Sequence, residues 1–187
     1  MAEVIKLPEN YWVFDFTKGE DHDFECPYQY SIGRYDELRP GMYHHELFGG
    51  VRNLHVGIDI GGPVGEPIYS FADGIVHSIG INEEPGSYGP TIITKHKIDG
   101  KDIWALHGHL SVESLATLRV GDLIKEGQQI ASIGGSDVNG GWPPHLHFQL
   151  SWEEPESNDL PGVVRLEDRT WALERFPDPR IVLGPIY

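Results

Sequence analysis

The sequence predicts an all-β fold with minor helix. Short runs rich in β-branched and aromatic residues recur from about residue 51 onward. Gly, Pro, Asn and Asp separate these runs at roughly the spacing of an all-β sheet or sandwich. Only one stretch in this region has a credible helical pattern. These observations favour a single β-rich core over an alternating α/β arrangement.

The predicted elements follow in chain order. Residues 1–50 show no sustained helical period, and Tyr11–Phe16 is a candidate strand. Further strands are predicted at 57–60, 67–71, 74–81, 91–94, 102–106, 129–133 and 145–150.

Two short helices are predicted. Ser111 can cap a helix whose apolar side is Val112, Leu115 and Leu118 and which ends before Gly121. The tail from about residue 152 is acidic and proline-rich, with a short helix expected at 171–175, stopped by Pro177.

Length and composition limit the organisation and the partners. The 187 residues suffice for one well-buried core, so we expect an N-terminal extension over 1–50 that packs on a domain over 51–151, and a C-terminal extension over 152–187. Acidic residues outnumber basic ones 29 to 14, for a net charge of −15, which argues against nucleic acid or a membrane as partner. The oligomeric state is left open.

Cysteine content and the N-terminus bear on the compartment. Cys26 is the single cysteine, so an intrachain disulfide is excluded. The first residues lack the basic and apolar regions of a signal peptide, and no stretch approaches the length of a membrane span. The expected location is therefore cytoplasmic.

Two paired spacings predict a metal site. His145 and His147 in an extended segment point to the same face, and His55 and Asp59, four residues apart, also have same-face spacing on a strand. Two histidines and a carboxylate, with one position left to water, form a recurrent ligand set of catalytic zinc. His55, Asp59 and one of the two later histidines are thus predicted ligands, with the other beside the open position.

Further histidines leave alternatives open. His107 and His109 form another predicted same-face pair, of which one would be a proton-transfer or oxyanion group. For His107, a strand-end histidine bonded to backbone is an equal alternative. His44, His45 or an Asn of the first 50 residues could add a fourth ligand that closes the site and makes a latent enzyme.

These residues resemble the lysostaphin-type (LytM-type) zinc metalloendopeptidases, which cut peptide cross-bridges in peptidoglycan. The resemblance runs from about Arg52 to Leu150 and includes connectors at 72–76 and 121–127. Its three ordered motifs are His-x-x-x-Asp at 55–59, His-Leu-Ser at 109–111 and His-x-His at 145–147.

The resemblance implies a fold and a site. The family fold, the duplicated-hybrid-motif or lysostaphin-like peptidase fold, is an antiparallel sheet that forms a groove open at both ends, with the metal on its floor. By resemblance His55, Asp59 and His147 bind Zn²⁺. His109 and His145 would be catalytic and flank the metal-bound water and the scissile carbonyl.

The sequence departs from the family's usual form at two places. His107 stands where a tyrosine is common, two residues before the histidine of the His-Leu-Ser block. The approach Gly140–His145, together with 177–179 and 183–184, resembles domains of this type fused to kinase-like and aminotransferase domains in large cytoplasmic proteins.

The sequence therefore predicts a zinc-dependent metalloendopeptidase or amide hydrolase that uses a metal-activated water. A small peptide or muropeptide substrate is expected in preference to polymeric peptidoglycan. The alternative is a non-catalytic or latent metal-binding module that recognises peptides.

Overall fold

The computed structural model describes residues 1–187 and consists mainly of short β-strands. The strands of the first half are β1 (Trp12–Val13), β2 (Ser31–Gly33), β3 (Glu37–Leu38), β4 (Leu54–His55), β5 (Ile58–Gly61), β6 (Pro67–Tyr69) and β7 (Gly74–Asn82). Those of the second half are β8 (Gly89–Ile98), β9 (Lys101–Gly108), β10 (Leu123–Ile124), β11 (Gln129–Ser132), β12 (His145–Ser151) and β13 (Val163–Val164).

Helices are few and short. The α-helices are α1 (Arg169–Arg175) and α2 (Arg180–Leu183), and 3₁₀ turns occur at Glu46–Phe48, Val112–Ala116 and Leu166–Asp168. The all-β prediction is confirmed. Ser111 is the predicted cap, since its hydroxyl accepts a hydrogen bond from the Ser114 N–H at 3.3 Å. The helix it caps is a 3₁₀ helix that stops at Ala116, short of Leu118.

One large sheet forms the frame of the molecule. Its eight strands lie in the order β1-β2-β5-β12-β9-β8-β7-β10, and every neighbouring pair is antiparallel except β1 with β2. Two smaller sheets flank it, one formed by β11 and β6 and the other in the order β13-β4-β3. Because β5 and β12 are central neighbours, their side chains are held firmly relative to each other.

The predicted single strand through His55 and Asp59 is instead two strands in two sheets. His55 ends β4 in the three-stranded sheet, and Asp59 lies in β5 of the large sheet. The chain changes sheets at Val56 and Gly57. The two side chains still converge, but through a sheet crossing and not through the alternation of one strand.

Two apolar cores hold the sheets together. The larger contains 20 buried residues, among them Ile32, Ile58 and Phe148. The smaller contains 10, among them Leu54 and Trp104. Burial of this apolar surface is the main source of the fold's stability.

Both terminal segments take part in these sheets. Residues 1–50 supply β1, β2 and β3, and the C-terminal segment supplies β13, which pairs with β4. The domain boundaries proposed at residues 50 and 151 stay a prediction.

No helix in the structure has the length and apolar character that crossing a bilayer requires.

Candidate metal centre and active site

Three side chains meet where β4, β5 and β12 come together. Asp59 and His147 are directly opposed in the antiparallel pairing of β5 with β12. His55 reaches them from the neighbouring sheet. In this cluster Asp59 Oδ1 lies 3.1 Å from His55 Nε2 and 3.0 Å from His147 Nδ1, and the two nitrogens are 3.2 Å apart.

The other ring nitrogen of each histidine fixes its tautomer. Nδ1 of His55 donates to the backbone carbonyl of Arg34 at 2.8 Å. Nε2 of His147 donates to Oε1 of Gln149 at 2.8 Å, and the Gln149 amide nitrogen is itself used, donating to the Pro161 carbonyl at 3.2 Å. His55 Nε2 and His147 Nδ1 therefore carry lone pairs and no protons.

Three lone-pair atoms thus face one another with no proton between them. Neutral imidazole nitrogens and a carboxylate oxygen repel at such distances unless a cation lies among them. Imidazole nitrogen and carboxylate oxygen are atoms that bind metal ions in proteins. The remaining polar atom of each side chain is hydrogen-bonded, as is usual for metal ligands. The residues fit a bound metal ion.

Electrostatics favour the ligand forms of these groups. Burial, with the nearby Arg39 charge, lowers the pKa of His55 to about 4, so this ring is neutral at pH 7. Burial opposes ionisation of Asp59, but the adjacent His55 ring and the Arg39 guanidinium hold its pKa well below the usual value. The carboxylate is therefore charged across the neutral range.

His109 and His145 stand beside this cluster. Their rings are 4.3 Å apart between centroids, and Nε2 of His145 is 3.6 Å from Asp59 Oδ1. Nδ1 of His145 donates to the Pro143 carbonyl at 2.7 Å, and Nδ1 of His109 donates to the Asn139 carbonyl at 2.7 Å. Each ring is oriented through Nδ1, and both residues line the groove beside the cluster.

Burial keeps both flanking rings neutral. It lowers the pKa of His109 well below the usual value, with help from His145 and His147. Burial also lowers the pKa of His145. A neutral ring that donates from Nδ1 has a lone pair at Nε2, and this holds for both residues.

The backbone of His109 explains how it reaches the site. Strand β9 ends at Gly108, and His109 adopts a left-handed conformation with φ of 63°. This turn is held by the His109 N–H donating to the Tyr88 carbonyl at 2.9 Å and by the Gly134 N–H donating to the His109 carbonyl at 2.9 Å. The reversal takes the ring out of the pleat of β9.

The prediction that His107 and His109 share a face is therefore wrong. His107 is fully buried, donates from Nδ1 to the Ile92 carbonyl at 3.2 Å and packs on Phe148. It does not reach the cluster. The alternative of a histidine bonded to backbone describes it correctly.

The first 50 residues add no ligand to the cluster. His44 is exposed, and the His45 ring packs against Phe48 and Trp142, at 5.3 Å from Trp142. Neither belongs to the group that can hold a metal ion. The expectation of a fourth ligand from this segment is not met.

Three supporting residues were missed by sequence reasoning. They are Arg39, whose guanidinium binds Asp59, Asn139, which orients His109, and Gln149, which orients His147. Gln149 alone had a readable signal, because it lies two residues after His147 on the same strand face. The other two lie far from their partners in sequence.

The cluster opens into a groove of about 1450 Å³. Aromatic side chains line its walls, including Trp12 and Phe14 from the N-terminal segment and Tyr43 and Trp142 near the metal centre. The Trp142 indole N–H donates to the Gly86 carbonyl at 3.0 Å, which holds this wall in place. The groove has room for an extended chain.

Comparison with known proteins gives a family match. The model of peptidase family M23 matches residues 53–159. Peptidoglycan DD-endopeptidase ShyC of Vibrio cholerae is 28% identical over an alignment of 153 residues, gaps included, that covers 71% of this chain and 31% of that protein. Murein hydrolase activator NlpD of Escherichia coli is 33% identical over 115 residues, 62% of this chain and 27% of that protein. This chain spans about a third of the length of these relatives.

A solved structure supports the fold. The catalytic domain of lysostaphin from Staphylococcus simulans superposes with a TM-score of 0.55 at 23% identity, over 83% of this chain and 93% of that domain. The predicted lysostaphin-like peptidase fold is confirmed.

Proposed function

Since this chain belongs to peptidase family M23, we propose that it is a zinc-dependent peptidase or amide hydrolase acting on peptides of the peptidoglycan type. His55, Asp59 and His147 are the proposed zinc ligands. His109 and His145 are the proposed catalytic residues.

The convergence of three unprotonated donor atoms carries this proposal. His55 Nε2, His147 Nδ1 and Asp59 Oδ1 lie within 3.2 Å of one another, and no protein proton separates them. A His/His/carboxylate set with an open position is typical of catalytic zinc and not of structural zinc, which has four protein ligands. When bound, zinc would supply activation of a water molecule and polarisation of the scissile carbonyl.

The two flanking histidines would move the proton. Hydrolysis of an amide forms a C–O bond, breaks the C–N bond and requires transfer of a proton from the attacking water to the leaving nitrogen. Nε2 of His145, which has a lone pair and lies 3.6 Å from Asp59 Oδ1, would accept that proton and return it to the leaving amine. Nε2 of His109, whose ring lies beside that of His145, would hydrogen-bond the carbonyl oxygen or share the proton transfer.

The groove favours an extended peptide that carries no excess of negative charge. Arg39 is buried against Asp59, and Arg52 donates to backbone carbonyls, so few basic groups are offered to a ligand. Carboxylates, in contrast, line the groove at several positions: Asp15, Glu20, Asp21, Glu83, Glu84, Glu156 and Asp159. We propose a small peptide or muropeptide with a free amine in preference to an anionic substrate.

The second candidate function is a binding module, and the observation behind it is the similarity to a murein hydrolase activator. A binding module of that kind would need the groove and not the flanking histidines. The intact set of five site residues favours the enzyme. The cytoplasmic location stays a prediction, as does preference for soluble fragments over polymer.

Incubation of zinc-loaded protein with soluble muropeptides, glycine-rich peptides and insoluble sacculi tests the proposal. We expect new amines from a soluble pool, abolished by chelation and in His145→Ala. Absence of cleavage in every pool, with one zinc bound per chain, would favour the binding module. Efficient clearing of sacculi would contradict the preference for soluble fragments.

A further inference from the structure

The guanidinium of Arg39 lies against the metal centre from outside the region that the family model matches. Arg39 is 1% exposed, and its Nη1 donates to Asp59 Oδ2 at 2.7 Å. The family match begins at residue 53. We propose that Arg39 is a positioning residue that fixes Asp59 for metal binding, which makes the N-terminal segment part of the metal centre. This inference rests on the proposed function, because it requires that the cluster bind a metal ion.

Arg39 is held from several sides and has little freedom to turn. Nε donates to Glu37 Oε1 at 2.9 Å, and Nη2 donates to the Arg34 carbonyl at 3.3 Å. Nη1 also donates to the Tyr43 hydroxyl at 3.0 Å, and the Phe16 ring lies 5.1 Å from the guanidinium carbon. A planar guanidinium bonded at all three nitrogens presents a fixed edge to Asp59.

This edge decides which oxygen of Asp59 is a ligand. Oδ2 is taken by Arg39, so Oδ1 alone faces His55 Nε2 and His147 Nδ1. Without the guanidinium, rotation of the carboxylate could turn either oxygen, or both, toward the metal. Arg39 would thereby leave Oδ1 as the oxygen available to the metal. It would also order the carboxylate before the metal binds.

Arg39 is also the one permanent cation paired with Asp59. The other ion-pair partners of Asp59 are the histidines at 55, 145 and 147, which are charged only if protonated. With a metal bound these rings are neutral. The charge on Arg39 therefore stabilises the half-buried carboxylate before any metal arrives.

The same short segment orients a second ligand. The Arg34 carbonyl accepts the hydrogen bond from His55 Nδ1, five residues before Arg39 in sequence. At the end of strand β2 the chain passes close by: a Cβ at Gly33 would lie 2.7 Å from Arg39 Nη2 and 3.1 Å from Asp59 Oδ2. Residues 33–39 thus support two of the three ligands.

Removal of Arg39 alone would also take one of its two arginine partners from a second carboxylate, Glu37. Glu37 is 4% exposed and bonds both Arg39 and Arg34. Unpaired buried charge is strongly destabilising, so the variant must be balanced. Arg39→Met combined with Glu37→Gln removes both charges, and Glu37→Gln alone is its matched reference.

Competition of Zn²⁺ between the protein and a coloured chelator measures the effect directly. We expect Arg39→Met with Glu37→Gln to bind Zn²⁺ roughly 10- to 100-fold more weakly than Glu37→Gln alone, the range typical for loss of a group that supports a metal ligand. Arg39→Lys keeps the positive charge but lacks the planar guanidinium. Its zinc affinity should therefore fall between those of the other two variants. The rise in melting temperature on adding Zn²⁺ should shrink in the same order.

Arg52→Met separates positioning from general destabilisation. Arg52 donates to the Val163 and Leu47 carbonyls and touches no ligand, so its loss should lower the melting temperature of the metal-free protein and leave the zinc affinity unchanged. Equal zinc affinity in the Arg39 variants and their references would overturn the inference, as would an equal loss in Arg52→Met. If the double variant does not fold, Arg39→Lys decides by the same criterion. Wild-type protein that binds no zinc would instead overturn the proposed function.

Discussion

Gly57 and His147 are in such close contact that no side chain fits between them. A Cβ built on Gly57 would lie 2.5 Å from Cε1 and 2.6 Å from Nε2 of His147. Gly57 is also where the chain crosses from the three-stranded sheet to the large sheet. The absence of a side chain there allows His55 and Asp59 to approach the imidazole from two sheets.

Gly57→Ala should therefore weaken metal binding. The added methyl group must push the His147 ring away from Asp59, and such displacement of a ligand costs affinity even if the fold survives. We expect at least a tenfold rise in the zinc dissociation constant, on the scale of losing a group that supports a ligand. Gly62→Ala is the control, since its nearest neighbours would be side-chain atoms at 3.3–3.4 Å, which can give way. Equal affinity in both variants would contradict this account.

Asp59→Asn and His147→Ala should each lose the metal and lower the melting temperature of zinc-loaded protein. Each change removes one of three donor atoms, and a bound metal would link β4, β5 and β12. Metal content per chain by elemental analysis checks this. His77→Ala, which removes a half-buried histidine on β7, should keep one metal per chain. Unchanged metal content in both ligand variants would show that the assignment is wrong.

His109→Asn and His145→Ala should keep zinc and lose turnover. Asparagine is chosen at position 109 because it tolerates the left-handed backbone found there. Loss of a proton-transfer or oxyanion group typically lowers the rate by about 10²- to 10⁴-fold. Amine release under steady-state conditions measures the rate, and zinc content is determined on the same samples. A loss of zinc in either variant would move that residue among the ligands.

The buried His107 should make the protein less stable in acid. Burial lowers the pKa of His107 to about 3, whereas the unfolded chain takes up this proton near pH 6.5. Between these values only the unfolded state is protonated, so this contribution to stability is lost as the pH falls below 6.5. At pH 5 the loss is on the order of 2 kcal/mol relative to pH 7.5.

Urea unfolding of metal-free wild type and His107→Gln at both pH values tests this. Glutamine keeps a polar group near the Ile92 carbonyl and does not titrate. We expect the drop in unfolding free energy from pH 7.5 to pH 5 to be smaller in the variant by about the same amount. The other histidines contribute equally to both proteins, so identical drops would show that His107 is not the titrating group.

The sequence by itself determined the all-β class and the identity of the five histidine and aspartate candidates. Strand periodicity is local, and turn residues mark where strands stop, so most predicted strands match observed ones within a few residues. The same local rule placed His145 and His147 on one face, because both lie within β12. Gln149 follows from it as well.

Only the tertiary structure decided what surrounds these residues. His55 and Asp59 meet through two sheets, and His109 reaches the site because the chain reverses at a left-handed residue, which same-face spacing does not predict. Arg39 meets Asp59 although the two are 20 positions apart, because β3, which ends just before Arg39, pairs with β4. The physical reason is the distance along the chain over which each effect acts. The alternation of side chains along a strand is fixed by neighbouring residues, whereas the convergence of side chains from different strands depends on which strands pair and where each one ends.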